Sequence, residues 1–248
     1  MNILVCISCV PDTTSKITFT QDRSSFEKTG IQWVINPYDE FTLSKAVQLR
    51  ENLGAKVTVL TVGTEETESV IRKALAMGAD EGLRINYEPK DSYATAKQIH
   101  SVIQDKNYDL ILCGRESIDY NGGSVPGMLA QLLGNMFINA SVGLKLEEGK
   151  AIIVREIEGG KETISAALPL VIAGQKGLVE ESELIIPNMR GIMSSRTKPL
   201  EVIQGKTVDT PVHYGSFESV PPRSSVKLIE EDRLDELVKI LREEAKVI

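Results

Sequence analysis

Short apolar runs separated by amphipathic stretches organise the first half of the chain. Asn2 to Ser8 (NILVCIS), Lys56 to Val62 (KVTVLTV), Leu83 to Ile85 and Asp109 to Cys113 read as strands, the fuller runs being of the kind buried on both faces of a parallel sheet. Helical spacing fills the gaps. Leu43, Ala46, Val47 and Leu53 share one face of a helix opened by Asn36-Pro37-Tyr38-Asp39 and stopped at Gly54. Val70, Ala74 and Leu75 recur in the same way within Glu65 to Met77, ahead of Gly78, and Ile99, Val102 and Ile103 do so in a helix starting at Ser92. Between Pro11 and Val34 the period changes: Lys16-Ile17-Thr18-Phe19 and Ile31-Gln32-Trp33-Val34 alternate polar and apolar positions and predict a hairpin-like excursion. The β-α-β-α-β-α-β order predicts an α/β fold with a doubly wound, mainly parallel sheet and right-handed crossovers. With a strand order of 3-2-1-4-5, the reversal that makes a ligand crevice falls between the first and fourth core strands. Cys6 to Asp12 and Gly114 to Pro126 then line one crevice, with Asn36 to Asp39 and Val62-Gly63 as its rims.

After Gly134 the pattern shortens. Leu144 to Glu147, Ala151 to Ile157 and Thr163 to Leu168 alternate around Gly149 and Gly159-Gly160, which predicts an antiparallel meander. Pro169 to Ala173 returns to core-strand character. From Gly174 to Arg223 turn residues and charges dominate, including Pro187-Asn188, Lys198-Pro199 and Pro221-Pro222, and an irregular segment of that length reads as an arm reaching over a partner. A last helix near Glu230 to Glu244 carries an apolar stripe of Leu234, Leu237, Val238 and Leu241. The expected division is therefore an α/β unit over residues 1–175, meander included, and a C-terminal arm and helix over 176–248.

Composition narrows the function classes. A chain of 248 residues with 42% hydrophobic content can bury a full core. Lys plus Arg number 28 against 35 Asp plus Glu, a net charge of −7, which is the wrong sign for a nucleic-acid binder. No apolar run approaches the roughly 20 residues that span a bilayer, and MNILVCISCVPD lacks the form of a secretory leader, so the expected location is the cytoplasm without membrane insertion. Cys6 and Cys9 form a CxxC at a strand end followed by Pro11-Asp12, a setting without the helix N-terminus that activates exchanging thiols. Cys113, His100 and His213 have no spacing that completes a zinc site.

The chemistry-bearing stretch runs from Tyr108 to Gly134. A strand ends at Gly114, a polar glycine-containing loop follows, and Pro126 suits the first turn of a helix carrying Met128, Leu129, Leu132 and Leu133. Amides of Gly122-Gly123-Ser124 together with a helix N-terminus can hold an anion; an ordinary βα connection is the plainer reading of the same residues. No GxxxxGK[ST], GxGxxG after the first strand, or GxSxG is present, and no lysine in this loop can reach a β/γ-phosphate. Asp119 and Glu116 are three apart, a spacing better suited to shaping the loop than to acid–base work. The inventory favours binding a phosphorylated ligand over turning one over.

Ile153 to Ala173 (IVREIEGGKETISAALPLVIA) closely resembles the signature of the electron-transfer flavoprotein β subunit family. Asn36-Pro37-Tyr38-Asp39, Ile71 to Asp80 (IRKALAMGAD), Ser117-Ile118-Asp119 and Lys198-Pro199-Leu200 are similar to blocks of that family in the same order. The resemblance implies an adenine-nucleotide alpha hydrolase-like sheet and an electron carrier rather than an enzyme. It implies a partner α subunit holding most of a redox-active FAD, a structural AMP in the switch-point crevice, and traffic from flavin-dependent dehydrogenases to a quinone oxidoreductase. The family's nucleotide contacts fall here on Cys6, Asn36, Pro37, Tyr38, Asp39, Val62 and the loop Asp119, Tyr120, Asn121, Gly122, Gly123, Ser124 and Val125. Its partner-recognition loop is similar to Glu183 to Lys198, with Ile186, Met189 and Ile192 as possible anchors. Where some members carry an aromatic residue near the flavin, this chain has Thr13. Two alternatives stay open: an electron-bifurcating β subunit with a second FAD in place of AMP, and a stand-alone adenine-nucleotide-binding module of the universal-stress-protein kind.

Overall fold

The apolar runs pair into one sheet. The computed structural model describes residues 1–222 and 225–248. Strand β1 (Asn2–Cys6) is followed by β2 (Cys9–Pro11), β3 (Trp33–Ile35), α1 (Pro37–Leu53), β4 (Lys56–Val62), α2 (Glu68–Met77), β5 (Glu81–Asn86), α3 (Ser92–Ile103), β6 (Leu110–Gly114) and α4 (Val125–Leu133). Then come β7 (Met136–Glu147), β8 (Lys150–Ile157), β9 (Gly160–Ala167), β10 (Leu170–Gly174), α5 (Met189–Ser195), β11 (Leu200–Gln204) and α6 (Leu234–Glu243). The main sheet has the order β11-β5-β4-β1-β6-β10-β7-β8-β9. Its pairings are parallel from β11 through β7, and β8 and β9 complete it in antiparallel fashion. Within it β5-β4-β1-β6-β10 realises the 3-2-1-4-5 order.

Alternation along each strand explains the two-sided winding. Ile3, Val5, Val57, Val59, Leu110, Leu112 and Ile172 face one side, where they pack with Leu43 and Val47 of α1 and Ile71 and Leu75 of α2. Leu4, Cys6, Leu60, Leu83, Ile111 and Val171 face the other, against Ile99 and Ile103 of α3 and Leu129 of α4. Both faces are therefore dry, and the strand-end loops are what reach solvent. Glycine ends α1: Gly54 is left-handed at φ 66° and its amide donates to the Arg50 carbonyl, as the sequence predicts.

Four expectations need correction. The excursion after Pro11 closes by β2 pairing with β3, Val10 opposite Val34, whereas Lys16 to Phe19 forms only an isolated bridge from Phe19 to Phe26. Leu53 does not join the buried face of α1; it is 56% exposed in the last turn. Strand β7 begins earlier than its alternation suggests: its first half pairs in parallel with β10 before a register shift, left-handed Ala140 (φ 53°) breaks the period there, and antiparallel pairing with β8 starts at Ser141. The segment after Gly174 is not irregular throughout: it contains α5 and also β11, which crosses back to extend the sheet beside β5. The five residues LEVIQ escape recognition because an edge strand keeps polar side chains on both faces.

Two compact units emerge, one from Met1–Ile17 with Lys28–Gly215 and one from Thr18–Glu27 with Ser216–Ile248. In the second, the Phe19 and Phe217 rings stack with centroids 5.3 Å apart, and the Phe217 amide donates to the Arg23 carbonyl. Helix α6 leaves Leu234, Leu237 and Val238 exposed, so its stripe is not core.

Candidate functional site

Strand order reverses between β1 and β6, whose last paired residues are Cys6 and Cys113. A cavity opens at their carboxyl edge. Of the residues anticipated there, Cys6, Asp39, Val62, Asp119, Tyr120, Gly122 and Val125 line it. Asn36, Pro37, Tyr38, Asn121, Gly123 and Ser124 are not part of the lining; Asn36 is buried, Tyr38 half-buried and the others lie at or near the surface. Pro89, Thr95 and Ile99, at the start of α3 and just before it, complete the wall and were not anticipated. Their signal was available, since α3 also begins beyond the carboxyl edge of a parallel strand.

Asn36 and Asp39 tie the crevice together. The Asn36 side chain donates to the Glu116 carbonyl (2.8 Å) and accepts from the Ile118 amide (3.2 Å), so it joins the start of α1 to the loop after β6. One Asp39 carboxylate oxygen accepts from the Ser8 amide and the other from the Gly114 amide, each at 2.7 Å. That carboxylate clips the chain beyond β1 to the end of β6. Burial pushes its pKa up to about 7 despite the amides that favour the charged form. Gly114 has to be glycine here, because a Cβ would lie 2.3 Å from Asp39 Oδ1 and 2.8 Å from Tyr38 Cβ.

The loop that follows is built on itself. The Ser117 amide donates to the Gly122 carbonyl, and Asp119 Oδ1 accepts from the Ser117 hydroxyl and the Tyr120 amide. The left-handed turn residue is Asn121 (φ 54°), not either glycine. At Gly122 a Cβ would meet the ring of Tyr120, an exposed side chain that would have to turn aside. Ser124 stands at the N-cap of α4 without capping it by its side chain, so first-turn amides of that helix have no side-chain partner. The lining brings the carboxylates of Asp39, Glu116 and Asp119 and, among the described residues, no lysine or arginine. An anion here must be met by backbone amides and the helix N-terminus.

Three thiols line the same cavity, and all are unpaired. Cys113 is raised by its hydrogen bond with Cys6 and by burial, and Cys9 is raised to about 12 by burial, helped by Glu66 and Asp119. Neither setting makes a thiolate. Native Cys9 is expected to alkylate at pH 8 about a thousand-fold more slowly than an ordinary thiol, in line with its thiolate fraction; peptide mapping after iodoacetamide, with a urea-unfolded control, measures this.

On the flank of the same unit, α5 presents its apolar side chains outward: Ile186 just before it is 83% exposed, Met189 73% and Ile192 40%. Asn188 caps the helix by accepting from the Gly191 amide. Arg72 Nη1 on α2 donates to the Ser195 and Lys198 carbonyls at 2.7 and 2.9 Å. Lys198 Nζ returns the contact, donating to the Leu75 and Ala79 carbonyls at 2.8 and 2.6 Å. The two cations lock α5 to α2.

Together these features define a doubly wound α/β protein with a crevice at its switch point and a rigidly mounted apolar knob. The chain belongs to the electron transfer flavoprotein family: residues 24–207 match the model described as the electron transfer flavoprotein domain. It is similar to the electron transfer flavoprotein subunit beta of Bacillus subtilis (strain 168), 35% identical over 100% of both chains. It is also similar to the subunit of the same name from Syntrophomonas wolfei, 32% identical over 94% of this chain and 90% of the relative. A third relative is the acryloyl-CoA reductase electron transfer subunit gamma of Anaerotignum propionicum, 30% identical over 82% of this chain and 77% of its own. Proteins of this β-subunit family are electron-transfer subunits that partner with α subunits, not catalytic enzymes in their own right. Among the described residues no helix is long and apolar enough to cross a membrane.

Proposed function

We propose that this chain is the β subunit of a cytoplasmic heterodimeric electron transfer flavoprotein, taking electrons from flavin-dependent dehydrogenases toward a quinone oxidoreductase and holding a structural AMP in its crevice. The observation that carries the AMP assignment is a cavity with an uncapped helix N-terminus and no lining cation. Amides at one helix end suit a single phosphate, with the base and ribose against Val62, Ile99 and Tyr120. Asp119 to Val125 supply the phosphate side, and Asn36 to Asp39 fix the opposite wall. When the α subunit's FAD is bound, it supplies the redox chemistry; this chain holds its partner and sets the environment. Residues 176–248, with α5 and α6, are the partner-contacting part. Ile186 is the dehydrogenase anchor, ahead of Met189 and Ile192, because it is the most exposed and precedes a capped, bolted helix.

The similarity to an acryloyl-CoA reductase subunit keeps a second reading in play, a bifurcating β subunit with FAD in the same crevice. Co-purification with the α subunit, followed by extraction and quantification of nucleotides, separates the readings. One FAD and one AMP per heterodimer is the expected result. Two FAD would replace the AMP assignment, and a flavin-free homodimer binding ATP would overturn the whole reading in favour of a stand-alone nucleotide module.

A further inference from the structure

We propose that Asp39 is the positioning residue of the crevice: by holding the Ser8 and Gly114 amides together its carboxylate sets the loop after β6 for the nucleotide, and affinity follows its charge. The inference rests on the nucleotide reading above and goes beyond it, because it gives Asp39 a role that leaves the ligand's sugar and base to other groups. Both carboxylate oxygens are already occupied, each by a backbone amide at 2.7 Å. Those amides belong to the two strand ends on either side of the switch point, and Gly114 is the last residue before the loop whose Glu116 to Val125 segment forms the cavity wall. The residue is 3% exposed, so no water shell substitutes for the clip.

The ionised form is the one that fits. A carboxylate offers an acceptor to each amide through short, charge-assisted bonds; once protonated, one oxygen carries a hydrogen and the remaining bonds are those of a neutral acid. Besides the two amides, the side chains of Asn36 and Ser8 also favour the charged form. From β1 and the turn beyond it come the Cys6 and Cys9 thiols, from β6 and its loop come the Cys113 thiol and the Glu116 carboxylate, and from α1 come Asn36, Tyr38 and Glu40. The cations beside these groups are engaged elsewhere: Lys73 with Glu40, and Arg115 with Gln175 and Glu116. Burial has already brought the carboxyl to about 7, so ordinary changes of pH alter the clip. Because the ligand favours the clipped form, AMP must in turn favour ionisation of Asp39.

The test uses the αβ complex, stripped of nucleotide, with AMP titrated by calorimetry between pH 6 and pH 8 into wild type and Asp39→Asn. The second ionisation of the AMP phosphate, near pH 6, is common to both proteins and cancels in the comparison. Wild type is expected to lose about five-fold more affinity than Asp39→Asn on going from pH 8 to pH 6, the two proteins being compared at the same pH throughout. Parallel profiles would overturn the positioning role even if the variant binds weakly at every pH. Should the variant not fold, the Asp39 carboxyl of wild type can be followed by isotope-edited infrared titration. Saturating AMP should lower its midpoint by about one pH unit, and an unmoved midpoint overturns the proposal. Failure of wild type to bind any adenine nucleotide sinks the nucleotide reading itself, an outcome distinct from parallel profiles.

Discussion

Gly114→Ala is expected to strip the crevice of nucleotide and to destabilise the chain by about 3 to 5 kcal/mol. The new methyl group would sit 2.3 Å from Asp39 Oδ1 and 2.8 Å from Tyr38 Cβ, in a place where nothing can swing aside. Asp39 cannot retreat without surrendering the amides of Ser8 and Gly114, and hydrogen bonds to a charged group contribute roughly 1.5 to 3 kcal/mol each. Forcing an extra carbon into a filled site adds about 1 to 3 kcal/mol of its own. At roughly 2 to 4 °C per kcal/mol for a chain of this size, the melting temperature should fall by about 10 °C. Gly134→Ala is the matched control: that residue is left-handed at φ 69° with no atom near its absent Cβ, so it should cost only about 1 kcal/mol and leave nucleotide content alone. Thermal unfolding and nucleotide extraction of both variants check the contrast. A Gly114→Ala protein that keeps its ligand and its melting temperature would mean that the Asp39 clip does not hold the crevice.

The reason the fold was readable lies in the central strands. After Lys56, every residue to Val62 is β-branched or leucine because β4 is buried on both faces, so the pattern and the environment coincide. The same logic fails at the margins of the sheet. β11 is an edge strand with mixed side chains, and the first half of β7 lies before a bulge where Ala140 turns left-handed, so neither carries a clean period. The crevice shows a sharper split. Asn36-Pro37-Tyr38-Asp39 marks the right place in the chain, and its Pro37 opens α1 as its position suggests. What the string of letters does not contain is where those side chains spend their hydrogen bonds. Asn36 reaches the backbone of Glu116 and Ile118, 80 and 82 residues on, and Asp39 reaches Gly114, 75 residues on. Partners that distant exist only after β1 and β6 have paired. Thr95 and Ile99 were missed for a related reason: one face of α3 reads as core, and its first turns become cavity wall only because of where the helix starts.

The docking role proposed for the apolar knob makes the second strong prediction, and it depends on rigidity as much as on exposure. Replacing Ile186 by Ala removes the most exposed aliphatic group ahead of α5, and anchors of this kind carry more than about 1 to 2 kcal/mol of an interface, so the KM for a reduced flavin dehydrogenase should rise roughly ten-fold or more. Gly191→Ala leaves Ile186 in place but should produce the same defect. Its Cβ would lie 2.3 Å from the Ala76 carbonyl, a backbone atom that cannot rotate away, so α5 must lift from α2 and strain the Arg72 and Lys198 contacts that hold it. A side chain offered on a loosened helix has to be ordered on binding, and that ordering subtracts from affinity. The two variants should therefore share a raised KM with little change in kcat. Reduction by dithionite, which needs no docking, should proceed as in wild type, and so should FAD and AMP content. A raised KM for Ile186→Ala alone would show that the knob works without its mounting. An unchanged KM for both would move the recognition surface away from α5, leaving the exposed stripe of α6 as the next place to look.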